Sequence, residues 1–420
     1  MSNMPEALIV DAVRTPRAIG KPGKGAYSGI HPQHLAATVL RALQERNDLN
    51  TADIDDVIWG TSAQKGTQAG DLARMAALDA GFDTRVSGVT LDRFCGSGLT
   101  AVSLAAGQIK SGMEDLLIAG GTEMMSVVTA LGQQEMAAGL RSGGLGTGNP
   151  RLQKKHPQSN QGVCADAIAS MEGISRETLD AFGLESQKRA ARAIAAGYFD
   201  RALIPVVSEE GRVVLAKDEY PRPQTTAADL AGLKPAFAQI ADMPSTVDGP
   251  TFRQLINQKY PNLKIEPVHH VGSSSGVVDG AAALLLASSE YARKHGLKAR
   301  ARVIATANIG DDPTLMLNAP VPAARKILAK AGLKVEDIDL WEVNEAFAVV
   351  VEKFIRDLHI DREKINVNGG AIALGHPIGA TGAVLIGTVL DELERRNLKR
   401  GLVTMCAAGG MAPAIIIERV

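Results

Sequence analysis

The chain has 420 residues, of which 45% are hydrophobic and 22% charged, a composition that fits a globular protein with a large core divided into two or three subdomains. Lys and Arg number 45 against 46 acidic residues, the net charge is −1, and aromatic residues make up only 4%. That balance argues against a nucleic-acid partner held by bulk charge or by stacking platforms.

Taken in order, the N-terminal "MSNMPEALIVDAVRTP" lacks a basic start followed by a long apolar stretch, so no signal peptide is expected. The longest apolar run, "GAAALLLA" at 280–287, is too short to span a bilayer. Cys95, Cys164 and Cys406 are too few for a disulfide framework and fit a reducing compartment, so a cytoplasmic protein is expected. An apolar-periodic helix, "HLAATVLRALQER", leads to "TADIDDVIWG" (51–60), a turn running into a strand. Next, "DRFCGSGLTA" (92–101) sets Cys95 at the start of an apolar helix. A thiol there feels the positive end of the helix dipole and free amide hydrogens, both of which lower its pKa. The local sequence reads equally well as a nucleophile and as a structural thiol in a tight turn. "DLLIAGG" (115–121) then reads as a buried strand.

Residues 125–277 differ in character. "RSGGLGTGNPRLQKKHPQSNQG" (141–162) is expected as a polar loop or lid, "SRETLDAFGLESQKRAARAIAAG" (175–197) as a helix with Ser175 as its N-cap, and "DEYPRPQTT" (218–226) as irregular. The whole stretch reads as a loop domain over a cleft. Farther on, "WEVNEAFAVV" (341–350) places Asn344 at a strand end, where an amide holds a water or a carbonyl oxygen, or simply caps a helix. "NVNGGAIALGHPIGATGA" (366–383) carries His376 in a glycine-rich loop. An imidazole in reach of a thiol takes its proton, although a lone histidine is more often a surface or capping group. Cys406 ends the strand "GLVTM" and reads as a proton carrier or as a core residue. No two of Cys95, His376 and Cys406 are closely spaced, so no metal site is expected, and no phosphate-loop motif occurs.

The chain also echoes itself at an offset of about 284 residues. Asp53-Ile54-Asp55 lies over Asp337-Ile338-Asp339, each after an apolar helix. Cys95-Gly96-Ser97-Gly98 lies over Gly379-Ala380-Thr381-Gly382 at the same spacing, and "DLLIAGG" answers "GLVTMCAAGG" with a shift of one. Two strand–helix–strand–helix–strand halves of a layered α/β fold are expected, with ligands beyond the carboxyl ends of the strands.

Seven stretches, "DRFCGSG", "AGGTEMMS", "ISRETLDAFGLESQKRAARAIAAGYF", "DGAAALLLAS", "VNEAFA", "NVNGGAIALGHPIGATG" and "CAAGGM", occur in an order and spacing that resemble the thiolases along essentially the whole chain. The resemblance implies a thiolase-like fold with one half at 1–124 plus 278–299, a loop domain at 125–277 that binds coenzyme A, and a second half at 300–420. It implies reversible Claisen cleavage of 3-ketoacyl-CoA, acetoacetyl-CoA included, through an acyl group on Cys95. His376 would be the base and Cys406 the proton carrier. Asn344 would hold a water, and the amides of Cys95 and Ala408 would form an oxyanion hole. Ser275, Arg222, Phe237 and Met316 would contact CoA or the acyl chain. No permanently bound cofactor is expected. The implied partners are acyl-CoA, CoA, a homodimer or homotetramer, and a β-oxidation partner subunit. The sequence departs from the family at Ala408 within "CAAGG", at Ser273-Ser274-Ser275 after His269-His270, at Asn160-Gln161-Gly162, and in a longer 238–265 segment. A ketoacyl synthase would carry a histidine in place of Asn344, and a silent acyl-CoA binder would not keep Cys95, His376 and Cys406 together.

Overall fold

A computed structural model of the chain describes residues 5–138, 145, 148–246 and 248–420. The first half runs through strand β1 (Ala7–Arg14), helix α1 (Pro32–Asn47), β2 (Asp56–Gly60), α2 (Leu72–Asp79), β3 (Ser87–Leu91), α3 (Ser97–Ser111) and β4 (Leu116–Met124). An excursion that contains α4 (Gln161–Glu172) and α5 (Arg176–Ala195) returns through β5 (Val278–Ser288). The second half follows as β6 (Ala301–Gly310), α6 (Pro320–Ala331), β7 (Leu340–Val343), α7 (Ala348–Leu358), α8 (Ile378–Arg395), β8 (Arg400–Thr404) and β9 (Met411–Arg419).

These strands form one sheet in the order β7-β8-β9-β6-β1-β5-β4-β2-β3, with the short strand Ala18–Ile19 beside β5. The halves meet where β1 pairs with β6, through only Leu8–Arg302 and Ile9–Ala301. In the first half β2 runs parallel to β4, and β4, β5 and β1 alternate in direction. In the second half β7 runs parallel to β8, and β8, β9 and β6 alternate in the same way. The halves therefore match strand for strand, and β3 is an added edge strand. Matched aspartates do the same work in each: Asp55 Oδ2 accepts the amides of Asp115 and Leu116 at 2.9 Å, and Asp339 Oδ2 accepts those of Lys399 and Arg400 at 2.9 and 2.8 Å. Each carboxylate fastens the start of one parallel strand to the foot of its neighbour.

Helices α3 and α8 pack together and bury apolar residues such as Leu99, Val102, Ala105, Ile386 and Leu390. Their first turns approach backbone to backbone. A Cβ on Gly98 would lie 2.5 Å from the Gly379 carbonyl oxygen, and one on Gly382 would lie 2.1 Å from the Leu99 amide nitrogen.

One expectation needs correction. The 141–162 stretch is not loop throughout: Pro150–Lys155 is helical, capped by Asn149, which accepts the amides of Arg151 and Leu152, and Asn160 caps α4. Proline at the first helical position after a capping asparagine is a helix start, and it outweighs the polar composition. The glycines at 143, 144 and 146 lie outside the described residues. Helix α5 begins at its expected cap, with Ser175 accepting the Thr178 amide.

The glycine contact makes a stability prediction. Gly382→Ala forces apart two backbones and is expected to lower stability by about 1–3 kcal/mol or more in urea unfolding at constant m. Gly107→Ala, in the same helix pair but with open space around its Cβ position, is expected to raise stability by about 0.5–1 kcal/mol.

Candidate active site

Strand β3 passes into α3 through a tight turn at 92–96. Asp92 Oδ1 accepts the Phe94 amide at 2.6 Å, the Arg93 amide donates to Ser97 Oγ at 2.8 Å, and Ser97 Oγ donates to the Phe94 carbonyl at 2.7 Å. Phe94 takes a φ of +50°, an uncommon left-handed conformation for a bulky residue that costs about 1–3 kcal/mol and lifts Cys95 to the helix start. Gly96 is required because a Cβ there would sit 2.8 Å from the Pro413 ring. Cys95 is only 6% exposed. Burial, and then the nearby Glu123 carboxylate, push its thiol up to about 12. Hydrogen bonding from the amides of Cys95 and Ala408 and from the Gln161 side chain acts in the opposite direction. The lowered pKa expected from the helix start is thus reversed: loss of solvent outweighs the helix end, and the resting group is a thiol.

His376 is also buried. Its Nδ1 lies 2.6 Å from Thr381 Oγ1, and the Thr381 hydroxyl donates to the Pro377 carbonyl at 3.1 Å. With that hydroxyl proton committed, Thr381 accepts from Nδ1–H, which leaves Nε2 as the unprotonated nitrogen. Asn344 Nδ2 faces Nε2 at 3.4 Å. Burial, and then the Arg17 charge, lower the imidazole pKa to about 3, so it rests neutral.

Asn344 and Cys406 leave the carboxyl ends of the parallel neighbours β7 and β8, where Val343 pairs with Thr404 and the Asn344 amide donates to the Thr404 carbonyl at 3.2 Å. Burial, and then the nearness of Cys95, beside which a second negative charge would be repelled, push the Cys406 thiol up. The turn after Cys406 takes positive φ at Gly409 (+77°) and Gly410 (+78°) but not at Ala408, so alanine fits there with its amide available. Glu123, at the end of β4, joins the two halves: its carboxylate accepts Thr61 Oγ1, the Ser62 amide, Gln68 Nε2 and the Gly379 amide at 2.8–3.2 Å.

A groove of ≈ 820 Å³ is lined by residues of the segments 19–24, 220–240 and 271–277. Lys21, Lys24 and Arg222 supply positive charge along it, Phe237 and Ile240 supply apolar wall, and Ser275, three residues before β5, also lines it. The structure does not bring Met316 to this groove. It is fully buried with φ +65°, in a core cluster with Phe347 and Cys406. That loop is anchored from the 238–265 segment by Lys259 and Tyr260 on Asp312. His269 Nδ1 contacts Asp166 at 2.8 Å and His270 Nε2 contacts Asp180 at 2.6 Å, so the paired histidines tie the chain to α4 and α5. Cys164 Sγ points to the Thr314 carbonyl in the core. Among the described residues no helix is long and apolar enough to cross a membrane. Sequence reasoning passed over Gln161, Thr381 and Glu123, whose only signals were polar residues inside or beside glycine-rich apolar runs.

The thiolase N-terminal domain family matches residues 7–249 and the thiolase C-terminal domain family residues 297–419. The chain is 40% identical to the steroid 3-ketoacyl-CoA thiolase FadA6 of Mycobacterium tuberculosis, over 99% of this chain and 95% of that protein. It is 41% identical to a β-ketoadipyl-CoA thiolase of Escherichia coli, over 99% and 100%. The crystal structure of the Bacillus anthracis acetyl-CoA acetyltransferase matches with TM-score 0.82 and 34% identity, and that of human mitochondrial 3-ketoacyl-CoA thiolase with TM-score 0.83 and 29%, each over 100% of both chains.

A buried thiol titrates late. Alkylation of Cys95 by iodoacetamide, followed by peptide mass spectrometry in the substrate-free enzyme, is expected to keep accelerating above pH 9, where an ordinary thiol of pKa about 8.5 is already levelling off. A plateau below pH 8 would show that the helix end prevails over burial.

Proposed function

The chain belongs to the thiolase family of acyltransferases, and on that premise we propose which residues carry its Claisen chemistry and what it acts on. The observation that supports the assignment most strongly is the Asn344–His376 contact at 3.4 Å, with Cys406 just past the end of the adjoining strand and the Ala408 amide at the Cys95 sulfur.

Cys95 Sγ attacks the keto carbon of a 3-ketoacyl-CoA and its proton passes to His376 Nε2, the nitrogen left unprotonated by the Thr381 contact. Thiolate and imidazolium form together as substrate displaces water, since each group rests neutral. The tetrahedral oxyanion lies on the amides of Cys95 and Ala408, donors that need no reorganisation. The carbon–carbon bond breaks, the acetyl-CoA enolate forms with its oxygen facing His376 and a water on Asn344, and the Cys406 thiol delivers a proton to carbon. The acyl chain stays as a thioester on Cys95. Cys406, now a thiolate, takes the proton of an incoming CoA thiol. That sulfur attacks the thioester, the Cys95 sulfur leaves and takes back the proton held on His376 Nε2, and the shortened acyl-CoA is released.

CoA lies in the loop-domain groove, with its phosphates toward Lys21, Lys24 and Arg222, its pantetheine past Ser275, and Phe237 lining the channel. No resident cofactor takes part. The relatives' names span steroid, dicarboxylic and acetyl substrates, and this supports a broad 3-ketoacyl range with acetoacetyl-CoA at its short end. The outer edge of β3, with Val89 exposed, supports assembly of two copies through that edge into a homodimer or a pair of dimers.

Cys95→Ser is expected to give no acyl-enzyme by intact-protein mass spectrometry. Cys406→Ser is expected to accept an acyl group from acyl-CoA yet lose about 10²–10⁴-fold in thiolysis, the usual contribution of a proton-transfer group. Equal loss of both steps in both variants would refute the division of roles. Thiolysis of acetoacetyl-CoA alone, with none of a long-chain 3-ketoacyl-CoA, would refute the broad range.

A further inference from the structure

Arg17 stands in the N-terminal segment, far along the chain from Cys95, Asn344, His376 and Cys406, yet it is only 5% exposed. Its Nη1 donates to the carbonyl of Gly375 at 3.2 Å, the peptide that carries His376. Gly375 has a φ of +92° and a Cβ there would meet Val278 at 2.3 Å, so the loop depends on backbone contacts to hold its shape. Beside it lies a cavity of ≈ 10 Å³ lined in part by Arg17, Glu342, Asn344, Gly375, Pro377 and Thr381. Three buried polar atoms of that lining have no partner among the described residues: Arg17 Nε, Glu342 Oε2 and Asn344 Oδ1. A buried cation and a buried carboxyl, the latter raised well above its ordinary pKa by burial and then by Glu345 and Glu392, are costly to leave without hydrogen bonds, and a cavity of this size with two to four polar partners holds one water. One donor and two acceptors are the complement a single water satisfies: it accepts from Nε–H and gives its two protons to Oε2 and Oδ1.

We propose that Arg17 is a positioning residue for this reaction, clamping the His376 loop through Gly375 and, with Glu342 and one shared water, holding the Asn344 amide so that Oδ1 faces the cavity and Nδ2 faces His376. An amide free to turn would present its oxygen to Nε2, repel the lone pair and misplace the water for the enolate. The same cation lies close enough to His376 to favour the neutral imidazole. Arg17 remains charged at neutral pH, since burial lowers its pKa only to about 10.

The inference rests on His376 as the base, and the test separates the two. In acetoacetyl-CoA thiolysis, Arg17→Met is expected to lower kcat about 10- to 100-fold with KM within about twofold, the scale of a displaced catalytic group. Arg17→Lys, which keeps the cation and a donor, recovers most of that loss. In a His376→Asn background, Arg17→Met has no further effect, because it acts through a group already removed. Equal loss in both backgrounds, or a change in KM alone, overturns the positioning role. If Arg17→Met does not fold, Glu342→Gln carries the test: a drop in kcat at unchanged KM and melting temperature supports the shared water, and an unchanged kcat overturns it. Full acylation of Cys95 in His376→Asn would instead refute the base assignment, and this inference with it.

Discussion

The first turns of α3 and α8 touch glycine to glycine, and the site depends on that contact. Cys95 precedes Gly98 by three residues and His376 precedes Gly379 by three, so once Gly98 meets the Gly379 carbonyl the two side chains start from neighbouring points. No side chain larger than hydrogen fits between the backbones. The glycines around Cys95 and His376 therefore serve the packing of two helix ends before they serve any ligand. Glu123 makes the join directional, accepting the Gly379 amide of one half with the same carboxylate that accepts groups from the other.

Burial at this junction sets the electrostatics. Cys95, Cys406 and His376 all rest uncharged because desolvation dominates each of them. A pocket of neutral groups surrounded by fixed donors stabilises charge only when it develops on a substrate, and in a low-dielectric site those donors act strongly. The Thr381–Pro377 contacts add a further constraint: they leave Nε2 as the unprotonated nitrogen of His376, facing the Asn344 side-chain amide.

Much of this was legible in the sequence. The internal repeat was visible because matched residues do matched work, as Asp55 and Asp339 do at the feet of equivalent strands. Cys95, His376, Asn344 and Cys406 stood at strand ends or helix starts, positions that local pattern marks. What pattern did not mark was set by the third dimension. The direction of the Cys95 shift depends on how much solvent the whole fold removes, and the helix at 150–155 on a cap hidden in polar composition. Gln161 reaches the site from the end of a stretch whose composition reads as a polar loop, and Arg17 from an N-terminal segment that carries no motif of its own. Met316, singled out by motif, lies in the core cluster with Cys406 and Phe347 rather than in the groove, on a loop that Lys259 and Tyr260 hold through Asp312, a depth no local pattern marks.

The central claim is that two half-sites, joined by a glycine contact, enclose one reacting carbonyl. The direct measurement is a crystal structure of the enzyme trapped as an acyl adduct and soaked with CoA. The account predicts acyl density on Cys95, its thioester oxygen about 2.7–3.1 Å from the amides of Cys95 and Ala408, and the CoA sulfur between Cys406 and His376. An acyl group on any other side chain, or a thioester oxygen turned away from both amides, would contradict it.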